Sequence, residues 1–522
     1  MFFKISWSVV GEDVVNAVTF FFQEATIHQA FNSTILALIP KIQNPCKVKD
    51  YRPISCCSVV YKIITKILVK RLSLVLPDLI NLNQTAFLKG RSIIDNTLLA
   101  QELVKGYGRK NISPSVLNHF YSLSGLNFNV NKTEFFAAGV SAGTLEFIKS
   151  ATEFKQGFLP VRYLGVPLVT RKLTETYCFP LLDNFEARLH HWSGKSLSYV
   201  GHLELIKTVL YSVVNLWFQQ FILLQKVINC LEQLCSRFIW KGSDKAAKGA
   251  RISWNRLCCP KFEGGLGLKD LNSWNKACMI QLIRKLLARN RSLWVAWIHC
   301  YVIKNRELSD INVSSSFSWS IRKLLKLRTQ ALPIISAGIT KTSVIWDELR
   351  ENREKVTWKK LLWFPLHIPK HSMISWMIIL DRLPTRDRLF RMGISNCILR
   401  NNEPESKNHL FFNCVYASSI WNSIMILTNL RDSHGTWNSR IECATQKWKG
   451  KSLLSIILRI VWNAFNYLIW EERNRRIFKG GSRTTDQILK SIKEFVRIQL
   501  SDKDINRTDH VNYILCSHWG LD

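Results

Sequence analysis

Between Tyr61 and Leu76, the residues Ile64, Ile67, Leu68, Leu72 and Val75 recur at helical spacing, while Lys62, Lys66 and Lys70 recur every fourth residue on the other side. A chain written this way must form a two-faced helix, with one stripe to bury and one to leave in water or against an anion. Its borders are equally constrained. Arg52-Pro53 precedes it, fixing φ at the proline and biasing Arg52 towards an extended backbone. After it comes Lys89-Gly90-Arg91, where glycine can turn the backbone without a Cβ penalty. Cations held at bends and on a helix face suit phosphate contacts, and a solvated helix face is the equally open alternative.

Composition points the same way. The 522 residues carry a formal charge of +34, spread along the chain, so an acidic polymer is the natural partner and nucleic acid the first candidate. A merely basic surface is the competing explanation. With 47% hydrophobic residues, packed cores are expected, in about three domains. The 14 cysteines are irregularly placed and follow no secretory leader, so reduced thiols in the nucleus or cytoplasm are expected. The most apolar run, Leu453–Trp470, is interrupted by Arg459, Asn463 and Asn466, so no membrane span is expected.

Residues 31–105 closely resemble the fingers region of plant non-LTR (LINE-type) retrotransposon reverse transcriptases. The matching phrases are LALIPKIQNPCKVKDYRPISCCSVVYKIITKILVKRL (Leu36–Leu72) and NQTAFLKGRSIIDNTLLAQELVKGY (Asn83–Tyr107). The resemblance implies an α+β, mostly helical chain. A remnant of the fingers/palm polymerase fold would be followed by a helical thumb-like region and a small helical zinc-binding-type domain. It places Arg52, Lys62, Lys66, Lys89 and Arg91 near template and incoming nucleotide, as contacts to RNA and DNA.

The family's palm carries an Asp-Leu-x-Lys-Ala-Phe-Asp phrase and then Phe-Ala-Asp-Asp, whose carboxylates hold two metals for nucleotidyl transfer. Neither phrase occurs here, and no two aspartates are adjacent anywhere in the chain. After Pro114 the sequence passes directly to Ser115–Phe136, which resembles family sequence beyond the catalytic hairpin. An internal deletion or a mis-predicted intron is implied. No catalytic residue can then be named, magnesium is not expected, and no small-molecule substrate is implied. Glu12-Asp13, Glu471-Glu472 and Asp502/Asp504 are expected to be solvated acids. Leu126, Phe128 and Val130 alternate as a strand whose natural partners would be missing.

The expected segments follow in order. Residues 1–114 are the fingers remnant, reached through a helical lead-in with Val14, Val15, Val18, Phe21 and Phe22 on its apolar side. The family's endonuclease would lie upstream, so the chain is expected to begin inside the polymerase region. Residues 115–170 are a post-catalytic palm remnant. Residues 171–308 form the thumb/connection region, in which Leu203, Ile206, Val209, Leu210, Val213 and Val214 line one helical face. Gly264-Gly265-Leu266-Gly267 there reads as a turn, lacking the Gly-Lys-Ser/Thr of a phosphate loop. Trp192, Trp217, Trp240, Trp254 and Trp274 either grip a duplex or pack in a core, the commoner fate. Residues 309–342, with a serine-rich patch and Pro333, read as a linker or insertion.

Residues 343–425 look like the zinc-binding domain that follows such polymerases, with the pattern Cys-x2-Cys, an acidic spacer, then His-x4-Cys. Cys397, His409 and Cys414 match the first, third and fourth ligands, and Arg400 stands at the second. Structural zinc is closed by four protein ligands, so three would hold it weakly, with water or a neighbouring cysteine, against repulsion from Arg400. A cluster packed without metal is the favoured expectation. Residues 426–522 read as a helical connector, its end resembling the approach to a ribonuclease H domain whose acidic cluster is missing.

Three functional readings follow. The chain is a catalytically dead reverse transcriptase remnant, a retained nucleic-acid-binding module, or a translated pseudogene product with no selected role.

Overall fold

The computed structural model describes residues 3–521 apart from 4–5, 42–43, 81–84, 86–87, 89, 106–132, 138–139, 159–160, 170–171, 194–196, 243–249, 305, 389–395, 401–402, 432–434 and 502. The protein is mostly helical, with few and short strands. It divides into two compact units: Met1–Gly106 with Ala288–Arg306, and Tyr107–Leu287 with Glu307–Asp522. The segment Ala288–Arg306, expected in the thumb/connection region, thus groups with the N-terminal residues.

In the first unit, strands Thr34–Pro40 and Tyr51–Cys57 pair antiparallel with Ile39 opposite Arg52. The predicted two-faced helix is present as Val59–Leu79. Ser58 caps it, accepting from the Tyr61 N–H at 3.2 Å while its hydroxyl donates to the Phe31 carbonyl at 2.8 Å. Its burial departs from the expectation. Val60 and Ile64 meet Val18 of the Trp7–Glu24 helix in a small core, but Leu68, Leu72 and Val75 are 36, 51 and 51% exposed. The period specifies a helix, but burial needs a second surface, and the Trp7–Glu24 helix covers only the first turns. A second contact joins helices Ile93–Lys105 and Leu293–Ile298, where Leu98, Trp294, Val295 and Ile298 are buried.

The second unit holds a large hydrophobic core with members from Val166 to Leu521. Leu203, Ile206, Leu210 and Val214 are buried in it as the spacing predicts, and Val209 and Val213 are half-buried. Trp217 and Trp240 are buried and Trp192, Trp254 and Trp274 pack against the same core, so packing is their role here. The Gly264–Gly267 stretch is a turn. A Cβ on Gly265 would lie 2.0 Å from the Cys259 carbonyl oxygen, an approach only glycine allows.

The expected linker 309–342 contains the helix Trp319–Ser336, with Trp319, Ile321, Leu324, Leu325, Leu327 and Ala331 buried. The serines that suggested a loop include its cap: Ser318 accepts from the Ile321 N–H at 3.0 Å. Pro333 sits in the helix's last turns.

The centre of the C-terminal half is Leu453–Phe478, a 26-residue helix. By length and composition it would cross a membrane, contrary to the expectation from its polar interruptions, but 83% of its most apolar stretch is buried inside the protein. Those interruptions are paired inside the fold. Arg459 donates to the carbonyls of Ser455 and Gly450, Asn463 to Leu361, and Asn466 to the Ser375 hydroxyl. Glu472 is likewise no solvated acid: fully buried, it accepts from Arg476 Nε at 2.9 Å and from Arg483 Nε at 2.9 Å. Charge-assisted pairing compensates the loss of water.

Candidate metal centre

The loop bearing Cys397 is tied off by backbone bonds and by Arg386 and Arg476, which donate to the carbonyls of Asn396 and Leu399. Asn396 forms an isolated antiparallel bridge with Pro404, and the Cys397 N–H donates to the Glu403 carbonyl at 2.8 Å. Within the loop, the nearby Leu399 and Arg400 N–H groups favour the Cys397 thiolate. Cys414 sits in a similar cradle on a different element. It is the N-cap of the helix Val415–Leu427, where the nearby Tyr416 and Ala417 N–H groups favour its thiolate without a capping hydrogen bond. Unpaired N–H groups and the positive helix end both favour a thiolate.

His409 opens a π-helical turn, His409–Asn413, that leads into Cys414; the Cys414 N–H returns to the His409 carbonyl at 2.7 Å. Its Nδ1 donates to Glu403 Oε2 at 2.7 Å. That bond leaves Nε2 as the lone-pair nitrogen, and Nε2 is buried with no protein partner. The side chain is only 6% exposed, and an unsatisfied buried nitrogen of this kind calls for a partner.

The donor atoms of Cys397, His409 and Cys414 all lie within 4.8 Å of one another, and the two sulfurs are 4.0 Å apart. Tetrahedral zinc with two thiolates requires a sulfur separation of about 3.8 Å. Of the thiols, Cys414 is the more acidic, lowered to about 6. The hydrogen bond from the Cys397 thiol is the main cause, aided by the Tyr416 and Ala417 N–H groups and the Arg400 charge, against burial. Cys397 is pushed upwards, first by donating that same bond and then by burial. A thiol pair sharing one proton, an imidazole held through Nδ1 by Glu403 and a buried setting together fit a zinc ion. The three sequence-predicted ligands therefore converge.

Two further residues serve the site. Glu403, on the acidic spacer, orients His409. Glu405, two residues on, accepts from Arg473 Nη2 at 2.7 Å and from the Arg386 N–H at 2.9 Å, anchoring the loop to the core helix. The alternating Glu403-Pro404-Glu405 was a readable signal for acids with opposite duties, but which one faced the histidine was not.

The predicted nucleic-acid contacts are scattered by comparison. Arg52 is exposed on its strand, and Lys62, Lys66 and Lys70 are exposed on the Val59–Leu79 helix. Gly90 turns the chain at φ 81°, as expected. Arg91 is half-buried and caps that helix, its Nη2 donating to the carbonyls of Pro77 at 2.7 Å and Ile80 at 2.6 Å. Those bonds turn it inward, away from the phosphate role expected of it. Lys89, the join at Asn111–Ser115 and the alternation at Leu126, Phe128 and Val130 lie outside the described residues.

Two family models match the chain: "zinc-binding in reverse transcriptase" over residues 341–421 and "reverse transcriptase (RNA-dependent DNA polymerase)" over residues 39–113. Together they support a retrotransposon reverse transcriptase as the source of these segments. Among curated proteins, the chain is 31% identical over 129 residues to a putative ribonuclease H protein of Arabidopsis thaliana, covering 25% of this chain and 21% of that one. It is also 31% identical over 117 residues to the transposon TX1 uncharacterized 149 kDa protein of Xenopus laevis, covering 22% of this chain and 9% of the relative. The similarity thus spans about a fifth or less of either relative's length.

Proposed function

We propose that this chain is a LINE-type, plant-type reverse transcriptase derivative that binds RNA and DNA without polymerising, in the nucleus or cytoplasm. The observation that carries the reading is the course of the chain at residue 113. The reverse-transcriptase match ends there, and the sequence runs on without the paired aspartates that two-metal nucleotidyl transfer requires. What remains is a charge of +34 and an exposed row of Lys62, Lys66 and Lys70, which supply sequence-neutral phosphate contacts. Cys397, His409 and Cys414 hold a zinc ion that pins the 397–404 loop to the start of the Val415–Leu427 helix. The ion is structural: it neutralises two thiolates and cross-links two elements. The segment order 1–114, 115–170, 171–308, 309–342, 343–425 and 426–522 belongs to the same proposal, amended by the helix found in 309–342 and by the grouping of Ala288–Arg306 with the N-terminal residues.

The test is purified full-length protein with a primed RNA template, magnesium or manganese, and nucleotides. No extension is expected, alongside template binding that weakens steeply between low and moderate salt. Primer extension above a no-protein control removes the first half of the reading, and salt-independent or absent binding removes the second.

A further inference from the structure

We propose that a cavity in the second unit, at the N-terminal end of the Leu453–Phe478 helix, binds a nucleoside monophosphate group, either free or as one residue of a single strand. The inference rests on the nucleic-acid reading above and deepens it by giving it a place and a form of ligand. The cavity, about 960 Å3, is lined from the segments 360–366, 449–459 and 500–512. Arg459 is part of that lining and only 8% exposed, yet no carboxylate pairs with it among the described residues. Its Nε donates to the Ser455 carbonyl at 2.9 Å and its Nη2 to the Gly450 carbonyl at 3.0 Å, and the guanidinium stands 5.1 Å from the centre of the Phe364 ring. The other interior arginines have counter-charges: Arg473 has Glu405 at 2.7 Å, and Arg476 and Arg483 share the buried Glu472. A guanidinium cannot shed its proton, so a buried one without a counter-charge is costly. An anion in the cavity supplies what the protein does not.

The rest of the lining says what kind of anion. Lys360, Lys449, Lys451 and Lys503 also line the cavity and are exposed, against two acids, Asp504 and Asp509. Asp509 is occupied in capping the His510–Trp519 helix, where it accepts from the Asn512 N–H at 2.9 Å. The start of the Leu453–Phe478 helix adds the positive end of its dipole to the same wall. Phosphate suits that charge. Trp363, Phe364, Leu366, Leu454 and Val511 supply an apolar wall. Beside it, Asn512 Nδ2 donates to the Asn506 carbonyl, and Asn506 Oδ1 accepts from the N–H and hydroxyl of Thr508. Those bonds leave Asn506 Nδ2 and Asn512 Oδ1 without a protein partner. A donor and an acceptor next to an apolar wall fit the edge and the face of a base, whereas an acyl chain would leave both unused.

The experiment titrates full-length protein against 2-aminopurine riboside 5′-monophosphate and against a short RNA strand carrying one 2-aminopurine, whose fluorescence falls on stacking. Retention of a long RNA on filters is followed in parallel. Saturable quenching is expected: with the free nucleotide it assigns a free ligand, and with the strand alone it assigns a strand residue. Arg459→Gln keeps a hydrogen-bond donor without the charge and should weaken the binding about tenfold with denaturant unfolding unchanged. Val511→Glu, at a position 55% exposed, should abolish quenching with the fold intact, and it decides the matter if Arg459→Gln does not fold. Quenching that Val511→Glu leaves unchanged overturns the proposal. So does binding of phosphatidylserine vesicles in place of either nucleotide probe. Absence of quenching while long RNA is retained at low salt and released at moderate salt overturns the cavity and leaves the nucleic-acid reading standing. Absence of both overturns the two together.

Discussion

The Val59–Leu79 helix and the Leu453–Phe478 helix are both written with strong apolar periodicity, and they end up in opposite circumstances. The first buries Val60 and Ile64 and leaves Leu68, Leu72 and Val75 in contact with solvent. The second is enclosed, with Ile457, Val461, Trp462, Phe465 and Ile469 all at most 1% exposed. The difference lies in the neighbours. The first helix is packed chiefly by Trp7–Glu24 and the four-residue helix Gln29–Asn32, whereas the second is packed by Pro369–Ile379, Thr485–Leu500 and others, including the π-helical turn that carries His409. Apolar periodicity is a demand for burial that only tertiary partners can meet, and the enclosed helix packs against the turn that carries the candidate ligand His409.

The sharpest test of this contrast is a pair of core deletions. Trp462→Ala should destabilise the protein by about 3–5 kcal/mol through lost burial and a cavity, whereas Leu72→Ala should cost under about 1 kcal/mol, both read by denaturant unfolding. Comparable losses at the two positions would erase the distinction.

A pH titration sharpens it further. His371, on the Pro369–Ile379 helix, is fully buried, stacked on Tyr467 and edge-on to Phe495, and burial followed by the Lys370 charge lowers its pKa to about 3. Because the folded pKa lies below the unfolded value, the unfolded chain takes up a proton first as pH falls. Stability contributed by neutral His371 is intact above about pH 6.5 and lost from there towards pH 3, by up to about 1.4 kcal/mol per unit. His371→Phe should flatten that part of the profile for the second unit. An unchanged slope would assign the loss to other groups.

The metal centre gives a smaller expected effect. Glu403→Gln removes the carboxylate that holds His409 Nδ1 and should weaken zinc by about 10–100-fold in chelator competition, with the fold retained. Unaltered affinity would mean the histidine is oriented by packing alone. Smallest in energy is the double change Lys62→Gln with Lys66→Gln on the open helix. It should leave unfolding unchanged while reducing the salt dependence of RNA binding by about two counterions. An unchanged salt slope would place the phosphate contacts elsewhere.

Much of the metal centre was legible in the sequence, because ligand chemistry restricts residue type so severely. The resemblance to a zinc-binding family pattern picked out Cys397, His409 and Cys414, and put Arg400 at the place of the second cysteine. The roles of Glu403 and Glu405 were not legible, since adjacent acids of identical chemistry differ only in what lies across from them. Arg91 misled for the same reason: a cation after a glycine bend suits a phosphate, but the nearest acceptors were the carbonyls of Pro77 and Ile80. The Trp319–Ser336 helix was hidden by serines that read as a loop until one of them proved to be its cap. Local periodicity and capping chemistry are properties of short stretches, so the chain alone determined the two-faced helix and the basic character, while a resemblance to a family pattern marked the three candidate metal ligands. Burial, pairing of interior charges and the tautomer of His409 depend on residues far apart in sequence meeting in space. Those were decided only when the second unit closed around Leu453–Phe478.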